Sequence, residues 1–122
     1  REGMHVQRDN LLHPGRAPRL STVEKCLGRR KGPVIAATDY MKAYADQIGP
    51  FVPGAYSVLG TDGFGRSDTR VKLREFFEVD RYWVVVAALK ALADEGSIPP
   101  ETVGEALAKY AIDPGKPDPL SL

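Results

Sequence analysis

Two short apolar segments place the strongest constraint on the fold of this 122-residue chain. Residues 33–38 read Pro-Val-Ile-Ala-Ala-Thr, and residues 56–59 read Tyr-Ser-Val-Leu, so both favour buried strands. Between them, apolar residues recur at the i, i+3, i+4 and i+7 spacing of a helix face, at Met41, Tyr44, Ala45 and Ile48. A strand, a helix and a second strand in this order predict a βαβ unit with parallel strands.

The second strand runs directly into a glycine-rich segment, residues 60–68, with the sequence Gly-Thr-Asp-Gly-Phe-Gly-Arg-Ser-Asp. Clustered glycines mark a turn or a backbone that another group approaches closely, because glycine loses more backbone freedom on folding than any other residue. Ligands of open α/β sheets bind at the carboxyl ends of the strands. The segment is therefore the main candidate for a functional site, and its expected loop-shaping residues are Gly60, Asp62, Gly63 and Gly65.

Other interpretations of this segment remain open. Gly60, Gly65, Arg66 and Ser67 have the spacing of a phosphate-binding P-loop, but arginine replaces the lysine that would reach the terminal phosphates. Nucleotide hydrolysis is therefore disfavoured. A purely structural loop also fits, in which Asp62 bonds loop amides and Ser67 or Asp68 caps the following helix. The alternative from another functional class is a noncatalytic dimerisation or small-ligand, phosphate-binding module that uses residues 60–68.

Local signals predict where the remaining helices begin and end. Ser21 and Glu24 form a capping box for a helix that Gly28 would end, and Asp39 is expected to cap the helix after the first strand. Asp80 is expected to cap a helix over residues 81–94, and Pro100 to begin the last helix. Residues 1–20 are expected to be mostly extended with a short strand at 4–6, and residues 113–122 to form an extended tail, because prolines interrupt both stretches.

Composition narrows the functional classes. A formal net charge of +1 argues against a nucleic-acid or membrane-surface binder, which would normally carry a strongly basic face. The apolar runs are too short for a membrane span. The single cysteine, Cys26, cannot form an internal disulfide. From both features we expect a cytoplasmic protein. The length indicates a single domain over residues 1–122, and only two convincing strands indicate that this domain is an incomplete piece.

The glycine-rich segment and its flanks resemble a known family. Residues 38–42, 59–70, 73–74, 77–80 and 84–89, and above all Thr61 to Asp68, are similar to the C-terminal domain of homodimeric bacterial pyruvate dehydrogenases. These are the thiamine-diphosphate-dependent, decarboxylating first components of the pyruvate dehydrogenase multienzyme complex, within the transketolase-like superfamily. The resemblance implies a three-layer α/β domain of the transketolase C-terminal type with a mostly parallel sheet.

The resemblance also carries functional expectations. It implies a parent enzyme that decarboxylates pyruvate and reductively acetylates the lipoyl group of the dihydrolipoyl acetyltransferase component, and that acts as a homodimer. Thiamine diphosphate and Mg²⁺ would be bound by domains outside this chain. No catalytic, cofactor-binding or metal-binding residues are therefore expected here, and the fragment alone should be inactive. The matching loop would place Arg66, Ser67, Asp68 and Arg70 at the entrance of the active site.

Overall fold

The structure is a computed structural model that describes residues 1–62 and 68–121. Its helices and strands follow the chain in the order α1 (Glu2–Leu12), α2 (Thr22–Leu27), β1 (Val34–Ala37), α3 (Lys42–Asp46), β2 (Tyr56–Leu59), α4 (Arg70–Phe76), α5 (Arg81–Asp94) and α6 (Glu101–Lys109). Two short 3-10 helices, Gly49–Phe51 and Pro119–Ser121, complete the described elements.

β1 and β2 form a parallel two-stranded sheet, as the sequence predicts. The register pairs Val34 with Tyr56 at one end and Ala37 with Leu59 at the other. α3 packs on β2, α5 packs on β1, and α6 packs on α5. The hydroxyl of Tyr56 donates to the carbonyl of Ala45 at 2.6 Å, which ties β2 to the end of α3. Helices around a small parallel sheet confirm the predicted α/β class.

Several predicted helix ends are confirmed. Ser21 and Glu24 form the reciprocal capping box of α2, and the buried Ser21 side chain accepts from the amide of Glu24. The Asp80 carboxylate accepts from the amide of Trp83 at 3.0 Å and so caps α5, which spans the predicted residues. Gly96, at a φ of +83°, follows the end of α5.

The N-terminal prediction is wrong. Residues 4–6, expected to be a short strand, lie inside α1, and the first proline, Pro14, comes only after this helix has ended. Gly3 lets α1 approach the side chain of Phe51 closely, since a Cβ at Gly3 would lie 2.7 Å from the Phe51 ring. Val6, on the same helix, is among the buried hydrophobic residues. Tertiary packing therefore stabilises a helix that the local pattern did not indicate.

The predicted apolar face of α3 is exposed rather than packed. Met41, Tyr44 and Ile48 keep between 40% and 57% of their surface accessible. Only Lys42–Asp46 are helical, so Met41 and Ile48 lie outside the helix and do not continue its stripe. Among the described residues, the buried hydrophobic side chains are few and small: Val6, Val52, Val79, Val86 and Ala106.

The C-terminal residues turn back onto the body of the protein. Within the segment expected to be an extended tail, residues 119–121 form a 3-10 helix and Pro119 is buried. The ammonium group of Lys116 donates to the carbonyl of Phe76 and to the carboxylate of Glu78, both at 3.0 Å. It also lies 5.7 Å from the ring centre of Trp83. Lys116 thereby fixes the tail to the junction of α4 and α5.

Candidate functional site at the carboxyl edge of the sheet

Because β1 and β2 are parallel, the segments that follow them lie at the same edge of the sheet. After β1 comes a turn of residues 38–42, which we call the β1 turn. After β2 comes the start of the glycine-rich segment, residues 60–62. The amide of Thr38 donates to the carbonyl of Leu59 at 2.9 Å and so continues the strand pairing into this edge.

Three hydrogen bonds join the start of the glycine-rich segment to the β1 turn. The amide of Thr61 donates to the carbonyl of Tyr40 at 2.9 Å, and the Thr61 hydroxyl donates to the carbonyl of Asp39 at 2.9 Å. The amide of Lys42 donates to the Asp62 carboxylate at 2.9 Å. Asp62, in the segment after β2, thus accepts from the amide of the first residue of α3, and this bond replaces the cap that we expected from Asp39.

Gly60 is buried at the point where the two segments meet. A Cβ at this position would lie 2.9 Å from the amide nitrogen of Lys42 and 2.9 Å from the carbonyl oxygen of Tyr40. Both are backbone atoms, so they cannot swing aside as a flexible side chain can. The glycine is therefore required by close approach, one of the two roles that the sequence indicates for this cluster.

Asp39 binds Arg74 of α4 instead of capping α3. The Nε and Nη2 atoms of Arg74 donate to the two carboxylate oxygens of Asp39 at 3.3 and 2.8 Å, a bidentate arrangement. The bond from Arg74 lowers the pKa of Asp39, with a smaller contribution from the positive charge of Arg70, and the bond to Asp39 raises the pKa of Arg74. Both side chains are exposed, at 65% for Asp39 and 41% for Arg74.

The far end of the glycine-rich segment leads into α4 through a different cap from the one predicted. Thr69 is the N-cap, and its hydroxyl accepts from the amide of Lys72 at 3.3 Å. Asp68 instead accepts from the amide of Thr69 at 2.8 Å. Of the predicted entrance residues, Asp68 and Arg70 therefore lie at the start of α4, exposed. Gly63, Gly65, Arg66 and Ser67 fall outside the described residues.

A cleft of about 630 Å³ opens beside the Asp39–Arg74 pair, between the end of β1, α4 and the start of α5. Its walls mix apolar and charged groups: Ala37, Val71, Val79, Arg81 and Tyr82. Arg81 donates to the Tyr82 hydroxyl at 2.8 Å, which raises the pKa of Arg81. Asp39 pairs with Arg74 in this cleft, and the carboxylate of Asp80, which also lines it, contributes to the raised pKa of Arg81.

The described residues offer no ligand set for a metal ion, because no three His, Cys, Asp or Glu side chains come together there. Within the same residues, none of the helices has the length and apolar character needed to cross a bilayer.

Sequence reasoning missed the Asp39–Arg74 pair. Both residues lie in segments that carry the family resemblance, but they are 35 positions apart. No spacing rule connects residues so distant, so the pairing could be found only once β1 and α4 were placed side by side.

Residues 12–80 match the family model described as the transketolase-like TK C-terminal domain. The chain belongs to this family.

The more similar relatives are all described as the pyruvate dehydrogenase E1 component. The chain is 66% identical over all 122 residues to the protein of Cupriavidus necator, of which it covers 14%. It is 66% identical over 121 residues to the protein of Pseudomonas aeruginosa, with 98% of the chain and 14% of that relative covered. For Escherichia coli K12 the identity is 48% over 120 residues, covering 98% of the chain and 13% of the relative. The chain thus spans about one-seventh of the length of these relatives.

Proposed function

We propose that this chain is the C-terminal portion of a pyruvate dehydrogenase, which oxidatively decarboxylates pyruvate and reductively acetylates the lipoyl group of a dihydrolipoyl acetyltransferase. The observation that carries the proposal is the 66% identity over the whole chain to a pyruvate dehydrogenase E1 component. The Thr61–Asp68 sequence motif, which follows β2 along the chain, supports the same assignment.

In this proposal the reaction takes place on residues outside the chain. Thiamine diphosphate supplies the electron sink for decarboxylation, and its binding site, with that of Mg²⁺, is assigned to domains of the parent enzyme outside this chain. The 122 residues contribute structure and the border of the active site, and they are inactive when isolated. Tight binding of thiamine diphosphate by the isolated chain would contradict this division.

The glycine-rich segment is proposed to form part of the active-site entrance, with Arg66, Ser67, Asp68 and Arg70 shaping the path of the lipoyl group. The proposal is supported by the way both described flanks are fixed. Thr61 and Asp62 are bonded to the β1 turn on one side, and Thr69 caps α4 on the other. Binding and catalytic residues often lie on loops whose ends a folded scaffold holds in place.

The chain is also proposed to contribute to a homodimer of the parent enzyme. The support is the exposed apolar surface beside the β1 turn, where Tyr40 keeps 61% and Tyr44 keeps 57% of its surface accessible. Their rings lie 5.0 Å apart. Exposed aromatic clusters are typical of protein–protein contacts.

The experiment that tests the function uses the full-length enzyme with thiamine diphosphate, Mg²⁺ and an isolated lipoyl domain. Pyruvate should cause acetylation of the lipoyl domain, detected by mass spectrometry. Turnover of a different substrate class, such as ketose phosphates, in place of pyruvate would refute the proposal. For the entrance residues, Arg66→Ala and Asp68→Ala should slow acetylation, whereas Lys109→Ala, on α6, should not. Unchanged acetylation in folded Arg66→Ala and Asp68→Ala enzymes would remove the entrance role.

The alternative, a noncatalytic module that binds phosphate through residues 60–68, predicts a different result. The isolated chain would then bind inorganic phosphate, and Arg66→Ala would abolish binding. Isothermal titration calorimetry separates the two cases, since the proposed enzyme fragment has no phosphate requirement.

A further inference from the structure

We propose that residues 113–121, which we call the strap, are a conformational latch that holds the junction between α4 and α5. Glu78, directly after α4, and Lys116, in the strap, are the two side chains that close it. The latch is independent of the reaction that the parent enzyme catalyses, because it depends only on contacts among described residues.

The backbone turn that ends α4 is strained at Glu78. The amide of Val79 donates to the carbonyl of Arg74 at 2.9 Å. The amide of Glu78 donates to the carbonyl of Glu75 at 3.3 Å. These two bonds form a Schellman motif, in which the residue after the helix takes a left-handed conformation. Glu78 has this conformation, at a φ of +63°, although a residue with a Cβ is strained there.

The end of α5 shows the same motif with a glycine in the left-handed position. Gly96 has a φ of +83°, and the amide of Ser97 donates to the carbonyl of Leu92 at 3.0 Å. Glycine adopts this conformation without strain, so it would also be the less strained residue at position 78. The side chain of Glu78 must therefore explain why a glutamate lies there.

The carboxylate of Glu78 is bound by Lys116. The Lys116 ammonium group donates to this carboxylate and to the carbonyl of Phe76, both at 3.0 Å. The bond to Phe76 satisfies an acceptor in the last turn of α4, where carbonyls lack partners within the helix and a positive charge is favourable. The side chains of Lys116 and Glu78 keep only 25% and 27% of their surface exposed, so solvent screens this pair less than a fully exposed one.

The strap also contacts the start of α5. The Lys116 ammonium group lies 5.6 Å from the ring centre of Phe76 and 5.7 Å from that of Trp83, in the first turn of α5. Pro119, further along the strap, is buried. A single lysine therefore joins the end of α4 to the beginning of α5.

Release of the strap should loosen the connection between these two helices. Without Lys116, the strained Glu78 loses its partner, and the last turn of α4 loses its cap. Residues 79–82 follow directly and line the cleft of about 630 Å³, so one wall of the cleft depends on the same connection. Local opening of this kind is seen as faster hydrogen exchange.

The test is hydrogen exchange with mass spectrometry on the full-length enzyme. In Lys116→Met, peptides covering residues 70–80 and 113–121 should both exchange about tenfold faster than in the wild type, because two hydrogen bonds from a charged group are lost. Lys90→Met is the matched control, since the bond from Lys90 to Asp94 lies within α5. It should leave both peptides within about twofold of wild type. Faster exchange of the strap alone would overturn the proposal, because α4 would then not depend on it.

Glu78→Gly provides a second test that does not require Lys116→Met to fold. Alone, it should speed exchange of residues 113–121, because the strap loses its carboxylate partner, but not of residues 70–80, because glycine relieves the strain. Combined with Lys116→Met, it should return residues 70–80 to within about threefold of wild type, while the strap stays fast. The proposal fails if the double variant exchanges at residues 70–80 as fast as Lys116→Met, or if Glu78→Gly leaves the strap as protected as in the wild type.

Discussion

Replacing Gly60 with alanine should destabilise the carboxyl edge of the sheet. The new Cβ would lie 2.9 Å from two backbone atoms, the amide nitrogen of Lys42 and the carbonyl oxygen of Tyr40. The clash is relieved only if the β1 turn and residues 60–62 move apart by several tenths of an ångström. Overpacking of this kind costs about 1–3 kcal/mol.

The same separation strains two hydrogen bonds that cross the contact. These are the bond from the Thr61 amide to Tyr40 and the bond from the Lys42 amide to Asp62, both at 2.9 Å. Each contributes about 0.5–1.5 kcal/mol net, and partial loss of both brings the expected local destabilisation to about 2–4 kcal/mol. A destabilisation of about 2 kcal/mol, the lower end of this range, should make hydrogen exchange of the protected amides about 30-fold faster.

Hydrogen exchange with mass spectrometry on the full-length enzyme measures this effect locally. Peptides covering residues 34–62 should exchange faster in Gly60→Ala than in the wild type. Gly104→Ala is the matched control, because Gly104 lies in α6 and a Cβ there meets nothing within 4 Å. This control should stabilise α6 by about 0.5–1 kcal/mol. Gly60→Ala exchange within about twofold of wild type would refute the close approach of backbone at Gly60.

Further changes test the surrounding contacts. Asp80→Ala should destabilise α5 by about 1 kcal/mol through loss of its cap, seen as faster exchange in the first turn, and equal exchange in the variant would rule out the cap. Lys116→Met should weaken docking of residues 113–121 by about 1–2 kcal/mol, because two hydrogen bonds and the cation–π contact with Trp83 are lost. Limited proteolysis should then cleave the tail faster, and an unchanged cleavage rate would contradict the prediction. Arg74 lowers the pKa of Asp39, so their bond should stabilise the fold fully at pH values above 3.8, the ordinary pKa of aspartate. This stabilisation should be lost as the pH falls below 3.8 and the Asp39 carboxylate becomes protonated. The carboxyl ¹³C shift of Asp39 in a segmentally labelled enzyme follows this titration, and the pKa of Asp39 should rise towards its ordinary value in Arg74→Gln, while Arg70 still lowers it slightly.

The local features of the fold could be read from the sequence. The capping box of Ser21 and Glu24, the cap at Asp80 and the bounds of α5 are all as predicted. Each depends on groups no more than four residues apart in the chain, a distance over which helical geometry is fixed. The parallel pairing of β1 and β2 was also predictable, because a single helix between two strands brings the chain back to the same end.

The errors in the prediction came from groups distant in sequence. Asp39 was expected to cap α3, but its carboxylate binds Arg74 of α4. The amide of Lys42 donates instead to Asp62, in the segment after β2. Residues 4–6 were expected in a strand, but their segment is helical and its Val6 is buried.

By itself, the sequence determined the α/β class, the order of most helices and strands, the family and the glycine-rich segment as the feature of interest. Tertiary structure alone decided why Gly60 must be glycine and which partners Asp39 and Asp62 bind. The physical reason is that these contacts join residues 18 to 35 positions apart. Such contacts depend on how two strands and a helix align in space, and the spacing of residue types along the chain does not encode that alignment.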